Sequence, residues 1–418
     1  MNGETRTVGQ VSRTPAATLF GARVVYAFNW YNVGAVLPLI GASFAIGTAT
    51  LGIVLGAFLV GVGIFQIPAG FASLRFGARR VSLFGLVLMG AACLASAFSP
   101  SWEWLAVTRG IAGAGAAFFF SPALGLISSY YPPGNRGVVV GLYNGAFSLG
   151  GAIGLFGGAL LGTLLGWQWA LAIGGVGLLV SGVVSLWLLP VARTQETIGS
   201  VREIWATGRD IVGSRSIWAL ALGLTGFWGA IYIVAQYFVQ YADQVHASWG
   251  VGVAAGLASL VVVVSFPGGP IGGWLGERGM DRRLLLGLAG ALASGLVLTI
   301  PFTGLPAIWA LMLLLGLVDG MVFAILYLIP SYLPESGGAG LALGVGVVNS
   351  IQVLLGSGLA IAFGFVAAGF GFDAAWLFAG IVSFATLPLL LLVRPNRGMG
   401  AGRRVPVSAQ APVGSTAR

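Results

Sequence analysis

The chain has 418 residues, of which 57% are hydrophobic and only 7% are charged. A soluble chain would carry about a quarter charged residues, whereas long uncharged apolar runs are what a bilayer core requires of spanning helices. The composition therefore excludes a soluble globular protein and predicts an all-α membrane protein. The net charge of +9 does not indicate nucleic-acid binding, because the basic residues lie mainly in short loops between apolar runs.

Apolar runs of about twenty residues, separated by charged residues, proline or glycine, predict transmembrane helices. Twelve such runs divide six and six around the longest polar break. The predicted spans are residues 18–41, 48–72, 81–98, 103–130, 137–164, 167–190, 217–242, 248–275, 284–302, 306–332, 339–369 and 373–393. The predicted organisation is a tail, a six-helix bundle, a linker, a second six-helix bundle and a tail, at residues 1–17, 18–190, 191–216, 217–393 and 394–418.

Arginines in the loops and tails fall on one side of the predicted membrane. The loops on the other side contain no arginine and carry Glu103, Asp243 and Asp373. Positively charged loops stay in the cytoplasm. Both termini and the linker are therefore predicted to be cytoplasmic, in a multi-pass protein of the plasma membrane.

The loop sequence "QIPAGFASLRFGARRV", residues 66–81, has a second copy in "GGPIGGWLGERGMDRR", residues 268–283. A constant offset of 203 residues pairs Gly70 with Gly273, Arg75 with Arg278, and Arg80 with Arg283. Such a repeat indicates two related six-helix halves in the same orientation, as in transporters built from parallel repeats.

These loops resemble a pattern of the major facilitator superfamily, close to G-x-L-a-D-R-x-G-R-R between helices 2 and 3, with a weaker copy between helices 8 and 9. The first copy has Leu74 at the acidic position and the second has Glu277. The fourth span adds "RGIAGAGAA" from Arg109, similar to the family's R-x-x-x-G-x-G pattern. The matching residues are Gly70, Arg75, Gly77 and Arg79 in the first copy, and Gly273, Leu275, Arg278, Arg282 and Arg283 in the second.

The resemblance implies the fold of that superfamily, with two pseudo-symmetric six-helix bundles and transport by alternating access. It also implies that the two loops latch neighbouring helices on the cytoplasmic side when the transporter faces outward. The predicted gating residues are Arg75, Arg79, Glu277 and Arg278. For Arg79 and Arg80 the alternative is that they fix only the topology and contact anionic lipid head groups.

Polar and aromatic residues inside the spans are candidates for the central cavity, because polar groups are costly in lipid. In the superfamily, helices 1, 4, 7 and 10 line this cavity. The predicted substrate-binding residues are Asn29, Asn32, Phe120, Tyr232, Gln236, Phe323 and Asn349, with Asn144 and Gln352 in second rank. The alternative for each is packing between helices, where amides and aromatic side chains bond across the interface.

Two ionisable residues are identified deep inside the spans, Arg109 in the fourth and Asp319 in the tenth. Arg109 either holds an anionic substrate or tunes a proton carrier, or else it braces helices or extends towards the interface. Asp319 either carries a coupling proton or has a structural role as a hydrogen-bonded residue.

The sequence therefore predicts a secondary active transporter of a small metabolite, with an organic anion as the substrate that best fits Arg109, driven by protons or by exchange. The alternative is proton-driven efflux of amphipathic compounds or drugs. An enzyme is not expected, because the one histidine and one mid-membrane aspartate form no catalytic cluster. No cofactor, metal or nucleic-acid partner is predicted. The expected partners of a monomeric chain are the substrate, protons or a counter-substrate, and membrane lipids.

Overall fold

The computed structural model describes residues 13–131, 133–190, 209, 213–277, 281–328 and 339–394, and every regular element in these ranges is a helix. Ten of the described helices are long and apolar enough to cross a membrane, and a bent pair near the N-terminus makes an eleventh span. The last of the ten lies in Ala339–Thr386, which is broken at Gly371 (φ 86°) and so supplies two spans. These are the twelve spans that the sequence predicts.

The helices are named in chain order. Helix α1 consists of Thr14–Ala35 and, after a bend of 54°, Leu37–Phe44. The first half continues with α2 (Thr48–Phe76), α3 (Ala78–Ala97), α4 (Trp102–Tyr130), α5 (Pro133–Leu165) and α6 (Trp167–Leu188). The second half contains α7 (Arg215–Val245), α8 (Gly250–Glu277), α9 (Arg282–Thr299) and α10 (Leu305–Leu328). Its last helix, Ala339–Thr386, is divided at Gly371 into α11 (339–370) and α12 (372–386). The 3-10 helix Leu387–Leu392 continues α12.

Hydrogen bonds between helix ends define two faces of the molecule. On one face, the Tyr131 hydroxyl accepts from the Ala16 amide at 2.9 Å, and the Arg394 amide donates to the Ser216 hydroxyl at 3.2 Å. We call this the arginine-rich face, because its helix ends carry Arg13, Arg75, Arg79, Arg80, Arg215, Arg282, Arg283 and Arg394. On the opposite face, the Trp167 indole N–H donates to the Ser43 hydroxyl at 2.9 Å.

Glycines spaced four residues apart let α5 lie directly against α1, since helices can approach closely only where a β-carbon is missing. A β-carbon at Gly150 would overlap the carbonyl oxygen of Val24. The contact repeats along the helix, pairing Gly154 with Phe28, Gly158 with Asn32, and Gly162 with Val36. This packing fixes the position of α1, which contributes several side chains to the cavity described below.

Helices α8 and α10 of the second half approach each other in the same way. A β-carbon at Gly320 would overlap the carbonyl oxygen of Ser265, and one at Gly316 would lie 2.5 Å from the carbonyl oxygen of Val261. The α10 segment that contains Asp319 is therefore held against α8.

The two halves meet closely towards the opposite face. The Gln240 side-chain amide on α7 donates to the Thr48 hydroxyl on α2 at 3.2 Å, and both side chains are buried. Gly52 on α2 and Gly364 on α11 also face each other, with a β-carbon at Gly364 only 2.8 Å from the carbonyl oxygen of Thr48. These contacts form a seal between the halves, which we call the opposite-face seal.

Candidate functional site

A cavity of about 620 Å³ lies between the two halves, and four helices of each half contribute to its wall. The size is typical of sites for small organic molecules. Most of the wall is apolar, and it includes the aromatic side chains of Tyr26, Trp30, Tyr31, Phe120, Phe147, Trp228, Tyr232, Phe266 and Phe323.

The cavity lies on the side of the arginine-rich face. On α10 its lining residues run from Asp319 to Ala324, between the middle of the helix and the end at that face. On α5 they run from Leu142 to Ser148, in the half of the helix that starts there. Towards the opposite face, α7 is buried without interruption from Phe227 to Ala242 apart from the half-buried Trp228, so the seal closes that end.

Arg23 on α1 is a buried cation on the cavity wall, with 5% of its surface exposed. Four aromatic rings surround its guanidinium, with centroids 4.4 to 4.9 Å from the Cζ atom. The rings belong to Tyr26, Phe120, Tyr143 and Phe147, and we call them the Arg23 cage. The Nε and Nη1 atoms have no hydrogen-bond partner, and the described residues supply no carboxylate to Arg23.

Asp319 on α10 is a buried carboxyl group on the opposite half of the same wall, with 7% of its surface exposed. Its Oδ1 atom has no hydrogen-bond partner, and no arginine among the described residues pairs with it. Unpaired buried charges are costly in a low-dielectric environment. An unpaired cation and an unpaired carboxyl group therefore share one cavity without contacting each other.

Four of the seven residues predicted to bind substrate lie on the cavity wall. Phe120 and Phe323, which the offset of 203 pairs, line it from the two halves, and Tyr232 and Asn349 line it from α7 and α11. Asn144, placed in second rank, is an exposed lining residue on α5. Gln352, also in second rank, is buried on α11 and is not part of the wall.

The other three, Asn29, Asn32 and Gln236, lie outside the wall. The Asn29 side-chain amide donates to the carbonyl oxygen of Gly174 at 2.9 Å, and that of Asn32 donates to Ala170 at 3.2 Å. Both bonds join α1 to α6. The Gln236 amide donates to the carbonyl oxygen of Trp30 at 2.9 Å, which joins the two halves. In the structure these three amides hydrogen-bond between helices, as in the packing alternative stated for each of them.

Arg109 is also buried away from the cavity wall, and its contacts are those of the helix-bracing alternative that the sequence left open for it. Its Nη2 donates to the carbonyl oxygen of Asn29 at 3.3 Å, and its Cζ lies 4.5 Å from the centre of the Phe58 ring. Arg109 therefore connects α4 to α1 and α2. The prediction of only two ionisable residues deep inside the spans was wrong, because Arg23 is a third. Of the two arginines, Arg23 lies on the cavity wall and Arg109 does not.

The arrangement of twelve helices in two halves around a shared cavity is also found in known proteins. The sequence model of the Major Facilitator Superfamily matches residues 19–356. The chain belongs to the Major Facilitator Superfamily. In fold, this superfamily member is similar to a D-xylose-proton symporter crystal structure, with a TM-score of 0.74 and 16% identity, over 93% of this chain and 99% of that one.

Two sequence relatives of this superfamily member have names that indicate different substrates. A 4-hydroxybenzoate transporter of Pseudomonas aeruginosa is 34% identical over 158 residues, which cover 38% of this chain and 35% of the relative. A quinolone resistance transporter of Acinetobacter baumannii is 32% identical over 155 residues, which cover 35% of this chain and 36% of the relative. The matches span only about a third of the length of either relative.

The superfamily loops lie at the arginine-rich face. Arg79 Nε donates to the carbonyl oxygen of Leu189 at 2.9 Å, so this predicted gating residue bonds within its own half. Arg75 is exposed, with its Cζ 5.3 Å from the centre of the Phe76 ring. Arg278 and the side chain of Glu277, the other predicted gating residues, lie outside the described residues.

Arg283 in the second loop bonds both to the end of α12 and to the residue that caps α9. Its Nη1 donates to the carbonyl oxygen of Val393 at 2.9 Å. Its Nε donates to the Asp281 carboxylate at 3.0 Å, and these bonds from Arg283 lower the pKa of Asp281. The pairing of Arg80 with Arg283 was therefore off by one residue, because Arg79 makes the equivalent contact.

Arg23 is a cavity residue of this superfamily member that the sequence pattern did not identify. It lies near the start of the predicted span 18–41. In the sequence only its position inside this span distinguishes it from the arginines of the loops. A signal was present: Tyr26 and Trp30 follow it at three and seven residues, on the same face of a helix. A charged residue on an aromatic helix face indicates a cavity position.

Proposed function

We propose that this chain is a secondary active transporter that moves a small organic anion across the plasma membrane together with a proton. The observation that supports the proposal is the cavity, closed at the opposite-face seal, whose wall contains one unpaired cation and one unpaired carboxyl group. Arg23 comes from the first half and Asp319 from the second. With the arginine-rich face in the cytoplasm, as the sequence predicts, the cavity lies towards the cytoplasmic side and the opposite-face seal lies outside it, as in one state of an alternating-access cycle.

An anion is the substrate charge that the wall favours. The guanidinium of Arg23 always carries its proton, and among the described residues two of its nitrogens, Nε and Nη1, find no hydrogen-bond acceptor. Charge-assisted hydrogen bonds to a carboxylate are stronger than neutral ones. An anionic group at Arg23 would therefore compensate a charge that the described residues leave unpaired.

Proton coupling is suggested by the charges of the substrate, Asp319 and Arg23 in the cavity. An anion in the cavity and an ionised Asp319 would place two negative charges beside the single positive charge of Arg23. Like charges repel strongly in a low-dielectric cavity. Protonation of the Asp319 carboxylate at one of its oxygens removes this repulsion, so the anion and the proton bind together and cross together.

The test is uptake of an organic anion into proteoliposomes loaded with a pH-sensitive dye. A panel of labelled carboxylates is added outside, and the initial rates above those of protein-free vesicles are measured with and without a pH gradient. The parent is expected to accumulate at least one carboxylate inside the vesicles when protons flow inwards down their gradient. The interior should become more acidic as this happens. Asp319→Asn is expected to lose this accumulation while downhill exchange of the same carboxylate remains measurable.

Asp243→Asn is the matched control, because this aspartate is exposed at the end of α7 and lies outside the cavity wall. It should behave like the parent. If Asp319→Asn accumulates the carboxylate like the parent at every pH, Asp319 does not carry the coupling proton. Exchange without any effect of the pH gradient in the parent would instead identify an exchanger.

Efflux of an amphipathic compound is the second function that an observation favours, because most of the cavity wall is apolar and aromatic. The similarity to a quinolone resistance transporter points in the same direction. Cells that produce the parent would then accumulate less of a fluorescent amphipathic drug than cells that produce Asp319→Asn. An unchanged drug level, together with carboxylate uptake, contradicts the efflux function.

A further inference from the structure

We infer that the substrate is an aromatic monocarboxylate whose carboxylate binds Arg23 at the Arg23 cage and whose ring packs against aromatic side chains of the second half. This inference rests on the proposed function, which it narrows from organic anions in general to one chemical class. It also assigns the anion-binding role to Arg23, a role that the sequence had left as one of several alternatives for Arg109.

The Arg23 cage positions the cation without neutralising it. Ring faces attract a guanidinium but accept few of its hydrogen bonds, and they leave Nε and Nη1 without partners. The cage belongs entirely to the first half, since its rings come from α1, α4 and α5. A carboxylate bound in the cavity would lie beside Arg23, because this residue is part of the wall.

The facing wall suits a flat ring. Trp228 and Tyr232 lie one turn apart on α7, with ring centroids 5.6 Å apart and planes inclined by only 5°. Phe323 on α10 borders the same space. Aromatic groups pair with one another by stacking and by edge-to-face contact, which adds to the gain from burying their surface. A benzoate-like ring can therefore pack where a branched aliphatic chain would gain only the burial term.

The charged side chains of the described wall limit the number of anionic groups that a substrate can carry. Among the described residues of the wall, Arg23 is the one cation and Asp319 the one carboxyl group, and this pair matches a single anionic substituent. The count favours a monocarboxylate over a dicarboxylate, which would bring a second charge without a second cation.

The test is isothermal titration of the purified protein with three probes of similar size. Benzoate is expected to bind. Benzamide, which lacks the charge, is expected to bind at least about tenfold more weakly, as the loss of a charge-assisted hydrogen bond predicts. Cyclohexanecarboxylate keeps the charge and loses the flat ring, so its affinity is expected to fall by about three- to tenfold.

Substitutions test separately the residue that binds the carboxylate and the residue that packs against the ring. Arg23→Gln is expected to weaken benzoate binding at least about tenfold, and Arg23→Lys to retain part of it because the charge remains. Trp228→Leu is expected to remove the preference for benzoate over cyclohexanecarboxylate. Arg215→Gln, at an exposed arginine at the start of α7, is the matched control and should bind like the parent. Gel filtration shows which variants are folded.

Each result has one meaning. Equal affinity for benzoate and cyclohexanecarboxylate overturns the aromatic class but leaves the proposed anion transport standing. Folded Arg23→Gln that binds benzoate like the parent overturns the role of Arg23. If no carboxylate binds and a neutral or cationic amphipathic compound does, both this inference and the proposed function are wrong.

Discussion

Arg79 and Arg283 make the same contact in the two halves of the molecule. Arg79 donates to the carbonyl oxygen of Leu189 at the end of α6, and Arg283 donates to that of Val393 after α12, each at 2.9 Å. Both the arginines and their acceptors are 204 residues apart, as are the starts of α3 and α9 at Ala78 and Arg282. The two halves thus repeat these hydrogen bonds as well as the loop sequence. The hydrogen bonds repeat at an offset of 204 residues, whereas the loop sequence repeats at 203.

These two arginines are expected to stabilise the ends of the helices that they contact. A cation near a helix C-terminus and a hydrogen bond to its last carbonyl groups together contribute about 0.5–1.5 kcal/mol. Arg79→Ala and Arg283→Ala should each lower the thermal midpoint of the purified protein, and the double variant should show the sum, because the sites share no partner. Arg80→Ala, at an exposed arginine, should leave the midpoint unchanged; an equal loss there contradicts the assignment.

The contact between α1 and α5 is expected to depend on Gly150. Alanine there would press a methyl group into the carbonyl oxygen of Val24, and such overpacking costs about 1–3 kcal/mol. The control is Gly295→Ala on α9, where a β-carbon meets nothing within 4 Å. We expect a lower thermal midpoint for Gly150→Ala only. Similar midpoints for the two variants would falsify the close-packing argument.

The opposite-face seal is expected to open when a large side chain is placed inside it. Gly364→Leu cannot fit beside Gly52 and the carbonyl oxygen of Thr48, so the halves must separate and the cavity becomes accessible from that side. The reporter is Asn144→Cys, an exposed position on the cavity wall. In intact cells, an impermeant thiol reagent should label it faster in the Gly364→Leu background than in the parent.

The control for this experiment is Gly358→Leu, on the same helix, where a β-carbon meets nothing within 4 Å. It should label at the parent rate. The natural cysteine, Cys93, is buried and serves as the background. If Gly364→Leu leaves the labelling rate at that of the control, the seal does not govern access to the cavity.

The orientation is tested by the same reagent. Ser248, between α7 and α8, is exposed on the opposite face, whereas Ser200 lies in the predicted cytoplasmic linker, outside the described residues. With the arginine-rich face in the cytoplasm, Ser248→Cys should react from outside intact cells and Ser200→Cys only after the membrane is permeabilised. The reverse pattern reverses the sides given to the cavity and the seal.

Composition and local pattern were enough to predict the twelve helices and the two related halves. A bilayer leaves each span few alternatives, because every backbone polar group must be satisfied within the helix. The bend in α1 and the break at Gly371 divide the observed helices without changing that number. The aromatic members of the predicted site, Phe120, Tyr232 and Phe323, also lie on the cavity wall.

Only the tertiary structure decided which polar side chains face the cavity. A stripe on α7 illustrates this: Trp228 and Tyr232 line the cavity, while Gln236 and Gln240, one and two turns further along, belong to contacts between the halves. Helical spacing gives these four residues one face, but whether a partner helix covers that face depends on how the halves are tilted. The same reason separates Arg23 from Arg109: both are arginines inside spans, and the packing of α4 against α1 and α2 buries one while the cavity borders the other.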